Sequence, residues 1–304
     1  MYSLPMSFTV WSQWDDLEVP VGFTRLSPAN FSLDSDDLSQ INFYVSSYMG
    51  GKKALEYAPR MSSLKFFQLP NAGYEDAIEF TPKGVVLCNA RGVHDAATSE
   101  LAVGLAIGVR RGFADFVRAA DRGQWEHKRY PSFNGSNIAI VGYGSIGQTL
   151  AKALSGFDVE VTGFSRSASS ESKPMSELDS LLPTFDFVFL TLPLNAESKS
   201  LFDAKRLSLM KTGSVLINVS RGGIVDTDAL ILELNSGRLF AGLDVTDPEP
   251  LPLGHPLWSA KNLLLSPHVG GDSDIFESRG KKFVEAQLKR IADGQEPINI
   301  VYKN

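Results

Sequence analysis

The sequence of 304 residues has a single cysteine, only four histidines and no surplus of base, with 29 Lys and Arg against 35 Asp and Glu for a formal charge of -6. The one thiol, Cys88, cannot close an internal disulfide, and no Cys/His cluster has zinc-ligand spacing, so a reducing compartment and a metal-free protein are expected. The acidic balance excludes a broad polyanion-binding face, because gripping a phosphate backbone takes a basic one. No segment reaches the roughly 18 apolar residues of a membrane span. The opening MYSLPMSFTVWSQWDD has no basic stretch ahead of a long apolar run. A cytoplasmic protein with neither nucleic acid nor membrane as partner is therefore expected. Internal repeats and low-complexity linkers are also absent. What remains is an ordinary globular composition, 43% hydrophobic and 21% charged, in a chain long enough for two cores.

Through the first hundred residues the sequence alternates apolar runs, such as Ile41 to Val45 and Leu64 to Leu69, with polar, helix-compatible stretches, and Cys88 ends the apolar run Gly84 to Cys88. This predicts a small open α/β sheet in which Cys88 packs as a small hydrophobe. An Ala-rich segment from Asp95 to Arg122, with Thr98 and Glu100 near its start and Gly123 past its end, predicts one long helix. Ile138 to Val141, a helix to Leu154 and Val159 to Phe164 form a βαβ unit. Apolar runs at Phe187 to Leu190, Val215 to Val219, Phe240 to Leu243 and Leu263 to Leu265 extend a mostly parallel sheet, and an amphipathic helix spans about Ile275 to Ala292.

Chemistry gathers at the ends of these strands. Gly142-Tyr143-Gly144-Ser145-Ile146-Gly147 follows one strand and opens a helix, the setting in which a G-x-G-x-x-G run binds a dinucleotide pyrophosphate. The end of the next strand, where an NAD site usually has an acid, carries Ser165-Arg166-Ser167. A guanidinium with two hydroxyls would instead hold a 2'-phosphate through charge-assisted bonds of roughly 1.5 to 3 kcal/mol each. NADP(H) is thus favoured, with NAD(H) and a merely solvated Arg166 as the alternative.

Arg221 follows the apolar run Val215 to Val219 and precedes Gly222 and Gly223. Its rigid fork suits the anchoring of a carboxylate and the polarising of a carbonyl. His268 lies past the last apolar run and Glu249 past the one before. A histidine oriented by a carboxylate is the side chain best placed to exchange protons near neutral pH. His94, His127 and His255 are the candidates for structural roles, with His255 expected in a loop that caps the sheet.

Taken together, these segments resemble the D-isomer-specific 2-hydroxyacid dehydrogenase family, which includes glyoxylate/hydroxypyruvate reductases and phosphoglycerate dehydrogenases. The resemblance runs from about Leu64 to Gly271. It is strongest at Gly142 to Gly147, Leu190 to Asn195, Asn218 to Asp226, Gly237 to Glu249 and Ser266 to Gly271. It implies an α/β fold of two doubly wound parallel sheets. A Rossmann-like cofactor domain (98-271) would be inserted in a flavodoxin-like substrate domain (1-97 with 272-304), hinged near Asp95 and Gly271. It implies hydride exchange between NADP(H) and a small D-2-hydroxy acid/2-oxo acid pair. Arg221 would hold the substrate, His268 would donate the proton and Glu249 would be its partner. By the same resemblance Leu192, Pro193, Val219, Ser220, Asp244 and Gly270 line the cofactor, with Asp244 near the carboxamide, and Asn71-Ala72-Gly73 holds the substrate carboxylate. A homodimer through a Gly112 to Pro131 arm is implied as well.

Thr227 departs from the pattern where relatives carry glutamate, a change expected to touch only a helix start. No regulatory domain is expected after Asn304. Two other readings stay open: a non-catalytic nicotinamide-sensing scaffold or corepressor on the same fold, and a formate- or phosphite-type dehydrogenase.

Overall fold

The computed structural model describes residues 8-303. In chain order its elements begin with β1 (Phe8–Trp11), β2 (Phe23–Leu26), β3 (Phe43–Val45), α1 (Gly51–Glu56), β4 (Phe66–Gln68) and β5 (Val86–Cys88). There follow α2 (Asp95–Arg110), α3 (Phe113–Asp121), β6 (Ser136–Val141), α4 (Ser145–Leu154), β7 (Val159–Ser165), β8 (Ser172–Pro174) and α5 (Leu178–Leu181). The rest are β9 (Phe187–Leu190), α6 (Ala204–Leu209), β10 (Val215–Asn218), α7 (Thr227–Asn235), β11 (Phe240–Leu243), β12 (Leu263–Leu265), α8 (Ile275–Ala292) and β13 (Ile300–Lys303). The chain forms two compact units, Met1–His94 with Asp274–Asn304, and Asp95–Ser273.

In the first unit the sheet order is β13-β5-β4-β3-β1-β2, parallel except for β13, which runs antiparallel to β5. Side chains alternate across each strand, so Phe66 packs into the cluster of Phe8, Val86 and Leu288 while Phe67 packs into that of Tyr44, Leu64 and Leu87. Both faces are covered, as a parallel sheet requires. The returning α8 is pinned by a buried amide pair: Gln287 Nε2 donates to Gln68 Oε1 at 3.0 Å and to the Ile298 carbonyl at 2.9 Å. Buried amides left without these partners would cost about 1–3 kcal/mol each. Cys88 is buried in β5, and burial pushes its thiol up to about 12.

The second unit holds a fully parallel sheet in the order β12-β11-β10-β9-β6-β7-β8. Strand β6 is fully buried in its last four residues. Ile138 and Ile140 face one layer, and Ala139 and Val141 the other. Order reverses between β6 and β9, and the carboxyl edge at such a switch point is where ligands bind in open α/β sheets. Of the expected strands, those at Phe187 to Leu190, Phe240 to Leu243 and Leu263 to Leu265 keep the same limits.

One expectation is corrected. The segment from Asp95 to Arg122 is not one helix but α2 and α3, broken at Arg111-Gly112. Gly112 sits at φ +67, and a Cβ there would lie 2.1 Å from the Tyr130 ring. The left-handed turn and the ring packed against it redirect the chain, and only glycine satisfies both. Helical propensity before and after the break is good, which is why local sequence conceals it.

Candidate active site

The glycine loop joins β6 to α4, and each glycine answers to a different constraint. Gly142 lies at φ +101, and a Cβ on it would meet the Leu192 amide nitrogen at 2.7 Å. A Cβ on Gly147 would lie 2.5 Å from the Gly142 carbonyl, so this glycine lets the helix press on the strand. Nothing lies within 4 Å of a Cβ built on Gly144. The protein itself therefore does not demand glycine there, whereas a phosphate drawn close to the backbone would. The first-turn amides of α4, at Ser145, Ile146 and Gly147, point out of the helix end as orphan donors. Thr191 Oγ1 donates to the Gly142 carbonyl at 2.8 Å and fixes the loop against the end of β9, beside Leu192 and Pro193. Ser145 Oγ bonds the buried Asp95 carboxylate. Tyr143 lays its ring over Gly163, where a Cβ would be 2.2 Å away. These residues fit a dinucleotide phosphate.

Arg221, Glu249 and His268 lie past the carboxyl ends of β10, β11 and β12, three adjacent strands. His268 Nδ1 bonds Glu249 Oε1. A carboxylate only accepts, so Nδ1 carries the proton and Nε2 is the ring nitrogen that faces away from Glu249. The Thr246 N–H reaches the other Glu249 oxygen at 3.4 Å. Burial pushes the Glu249 carboxyl up. The hydrogen bond and charge of His268, the Thr246 N–H and the Arg221 guanidinium outweigh it and hold the group below its ordinary value. The backbone of His268 is left-handed at φ 56, a conformation that costs a non-glycine residue about 1–3 kcal/mol and is kept only where the surroundings impose it.

The surroundings that impose it are the carboxylate of Asp244, 2% exposed at the end of β11. It accepts from Ser266 Oγ at 2.6 Å, from the Val269 N–H at 3.0 Å and from the Gly270 N–H at 2.8 Å, while the Asp244 carbonyl accepts the His268 N–H at 2.8 Å. A Cβ on Gly270 would lie 2.9 Å from this carboxylate. Asp244 is therefore first of all the clasp of the His268 loop. Asn218 does the same for Arg221: it accepts from the Ser220 N–H at 3.0 Å and Ser220 Oγ at 2.7 Å, and donates to the Arg221 carbonyl at 2.9 Å. Gly222 brings this turn against the neighbouring loop, since a Cβ there would lie 2.0 Å from the Thr246 carbonyl.

Sequence reasoning missed the clasping roles of Asn218 and Ser266. A buried polar residue at a strand end is the one signal that could have marked Asn218. It also undervalued Thr227. The residue opens α7 as expected, with Asp226 capping at 3.0 Å, but its hydroxyl also donates to the Asp247 carbonyl at 3.0 Å and steadies the loop that carries Glu249.

At the end of β7, Ser165 Oγ lies 2.6 Å from both the Ser167 carbonyl and Ser172 Oγ. A carbonyl can only accept, so Ser165 gives its proton there and Ser172 donates to Ser165. In this arrangement Ser165 helps to shape the loop that carries Arg166. Arg166 is exposed, with Nη2 3.0 Å from Glu197 Oε2. In the first unit, Asn71-Ala72-Gly73 forms a turn after β4. The Asn71 carbonyl accepts from the Ala90 N–H at 2.8 Å and the Ala72 carbonyl from Asn89 Nδ2 at 2.6 Å. Two of the turn's three carbonyls, those of Asn71 and Ala72, are thus tied down, which fixes its shape.

The sequence profile described as "D-isomer specific 2-hydroxyacid dehydrogenase, NAD binding domain" matches residues 103–270. The chain belongs to the D-isomer-specific 2-hydroxyacid dehydrogenase family. It is 33% identical to a glyoxylate reductase of Thermococcus litoralis over 83% of this chain and 80% of that protein. The crystal structure of a D-isomer-specific 2-hydroxyacid dehydrogenase family protein from Aeromonas salmonicida superposes with a TM-score of 0.84 at 25% identity, covering 97% of this chain and 98% of that one. One from Xanthobacter autotrophicus, in complex with NADPH and MES, shares the fold at a TM-score of 0.76 and 22% identity, covering 97% and 98%. The protein is thus an oxidoreductase of 2-hydroxy acids with a nicotinamide-binding domain.

The remaining histidines of the dehydrogenase have other duties. His94 is buried, 2.9 Å from the Pro70 carbonyl and stacked with Tyr48 and Phe276. His127 is exposed. His255 caps the short turn Pro256–Ser259, its Nδ1 accepting the Leu257 N–H at 3.3 Å, and Leu257 of that loop packs into the cluster of Leu216, Ala241 and Leu243 on the sheet. A recess of about 520 Å³ in the second unit is lined by Arg110, Tyr130, Lys211, Phe240 and Leu263. It opens at the amino ends of β10, β11 and β12, the edge opposite Arg221 and His268. Among the described residues no helix is long and apolar enough to cross a membrane.

Proposed function

We propose that the protein is an NADP(H)-preferring reductase of a small 2-oxo acid, of the glyoxylate/hydroxypyruvate kind, running in reverse as a D-2-hydroxyacid dehydrogenase in the cytoplasm. The observation that carries the reading is the His268 ring pinned by Glu249 at the sheet edge beside Arg221. A bound reduced nicotinamide supplies the hydride.

The chain's own residues do the rest. Arg221 pairs with the substrate carboxylate and offsets charge growing on the carbonyl oxygen. His268 Nε2 gives that oxygen its proton, and Glu249 orients the ring and sets its tautomer. The Gly142–Gly147 loop and the first turn of α4 take the pyrophosphate. Leu192, Pro193, Val219, Ser220 and Gly270 border the rest of the cofactor, with Asp244 ordering the loop at its nicotinamide end. Arg166 takes the 2'-phosphate with Ser165 and Ser167. Asn71-Ala72-Gly73 stays assigned to the substrate carboxylate by the family resemblance. Support comes from its amides, none of which has a protein acceptor among the described residues.

A homodimer through the arm from Gly112 to Pro131 completes the reading. It is supported by the exposure of Phe113, Phe116, Val117 and Trp125 along and just past α3, an apolar stripe that a monomer would leave wet. Sedimentation should give twice the chain mass for the wild type and the chain mass for Val117→Asp with Trp125→Ser.

The decisive assay follows oxidation of NADPH and of NADH with glyoxylate, hydroxypyruvate, pyruvate, phenylpyruvate and branched 2-oxo acids. Turnover of one acid with NADPH well above NADH is expected. Silence across the set with cofactor binding intact would move the reading to the non-catalytic scaffold.

A further inference from the structure

The exposed ion pair between Arg166 and Glu197 joins two loops at the carboxyl edge of the second unit's sheet. Arg166 is the first residue past β7 and Glu197 lies in the loop past β9. Their side chains are 78% and 73% exposed, and Arg166 Nη2 stands 3.0 Å from Glu197 Oε2. The backbone beneath Glu197 is firmly set. Its N–H and that of Ser198 donate to Asn195 Oδ1 at 2.9 and 3.0 Å, Ser198 Oγ accepts the Asn195 N–H at 2.8 Å, and the same hydroxyl donates to the Pro193 carbonyl at 2.7 Å. A fixed turn thus presents a solvated carboxylate to a solvated guanidinium.

We propose that Glu197 is a specificity-determining residue: its carboxylate competes with the 2'-phosphate of NADPH for Arg166 and so narrows the margin by which NADPH is preferred over NADH. The proposal rests on the assignment of Arg166 to that phosphate. One guanidinium fork faces two anionic claimants on NADPH binding, and what it gives to the carboxylate it withholds from the phosphate. NADH carries a hydroxyl at that position and leaves the ion pair unchallenged, so the penalty falls on NADPH alone. Because both partners are solvated, the competition is mild. The strength usual for exposed pairs corresponds to about a twofold to fivefold change in affinity.

The test is calorimetric titration of NADPH, NADH and adenosine 2',5'-bisphosphate into the wild-type protein, Glu197→Gln, Arg166→Ala and the double variant. Glu197→Gln should tighten NADPH and the bisphosphate by about twofold to fivefold, leave NADH unchanged, and lose that gain both in the Arg166→Ala background and at raised ionic strength. If Arg166→Ala weakens NADPH selectively but Glu197→Gln leaves the NADPH-to-NADH ratio where it was, the Glu197 assignment alone is overturned. If Arg166→Ala weakens both cofactors equally, the 2'-phosphate assignment falls and the competition with it. A gain in Glu197→Gln that survives removal of Arg166 also overturns the proposal, since it would then be simple loss of a repelling charge.

Discussion

His268 is held from two directions, its ring by Glu249 and its left-handed backbone by Asp244, and the two supports predict different failures. His268→Ala removes the exchangeable proton and should lower kcat by roughly 10²–10⁴-fold while the dissociation constant for NADPH stays near wild type, as stopped-flow and fluorescence titration would show. Glu249→Gln keeps the shape but replaces the carboxylate that accepts from His268 Nδ1 with a neutral amide, so it should lower kcat with little change in KM. Because the Glu249 carboxyl is held below its ordinary value, it stays ionised at pH values where a free glutamate, near 4.3, is already half protonated. Its charge, and with it the hydrogen bond to His268, should therefore persist to a lower pH than a free glutamate would allow. Asp244→Asn would turn one acceptor into a donor facing a donor. Leaving loop amides unpaired costs about 1–3 kcal/mol each, and a lower Tm together with lower kcat is the expected result.

At the scale of elements, close backbone approach decides where the side chains sit. Gly222 has room for no Cβ beside the Thr246 carbonyl. Gly222→Ala must displace one loop, at about 1–3 kcal/mol, and move Arg221 away from Glu249, so KM for the oxo acid should rise along with the fall in Tm. The central strands and α8 were legible in the sequence because their apolar periodicity is strong and their neighbours agree with it. The break between α2 and α3 was not, since both halves are good helix and the deciding contact, Tyr130 on Gly112, comes from 18 residues further along. The strands β1 and β2 went unread as strands for a related reason. They are four residues each, and their pairing is supplied by the sheet.

For the whole molecule, several carboxylates bind their charges more strongly folded than free. Burial pushes Asp186 up, but Lys211, the Asn137 N–H and Arg110 outweigh it and leave it lowered, and Asp179 is lowered chiefly by the hydrogen bond from Arg206. A lowered carboxyl stabilises the fold above its unfolded pKa, near 3.9 for aspartate, and that stabilisation is lost as pH falls toward the folded value. Tm should hold from neutral pH down to about 5 and fall below about 4, with a shallower fall in Lys211→Met. Cys88, with its thiol raised to about 12 by burial, should resist a thiol reagent in the native protein and react only on unfolding.

The sequence by itself determined the family, through its ordered motifs, and the strand ends past which Gly142–Gly147, Arg221, Glu249 and His268 stand, because strand ends are readable from hydrophobic pattern. Tertiary structure decided the rest. That Asp244 and Asn218 clasp the catalytic loops, that Thr227 steadies the Glu249 loop and that Glu197 reaches Arg166 depend on which strands lie side by side. That order, β12-β11-β10-β9-β6-β7-β8, is fixed by burial of both sheet faces across the unit and is written in no local stretch of the chain.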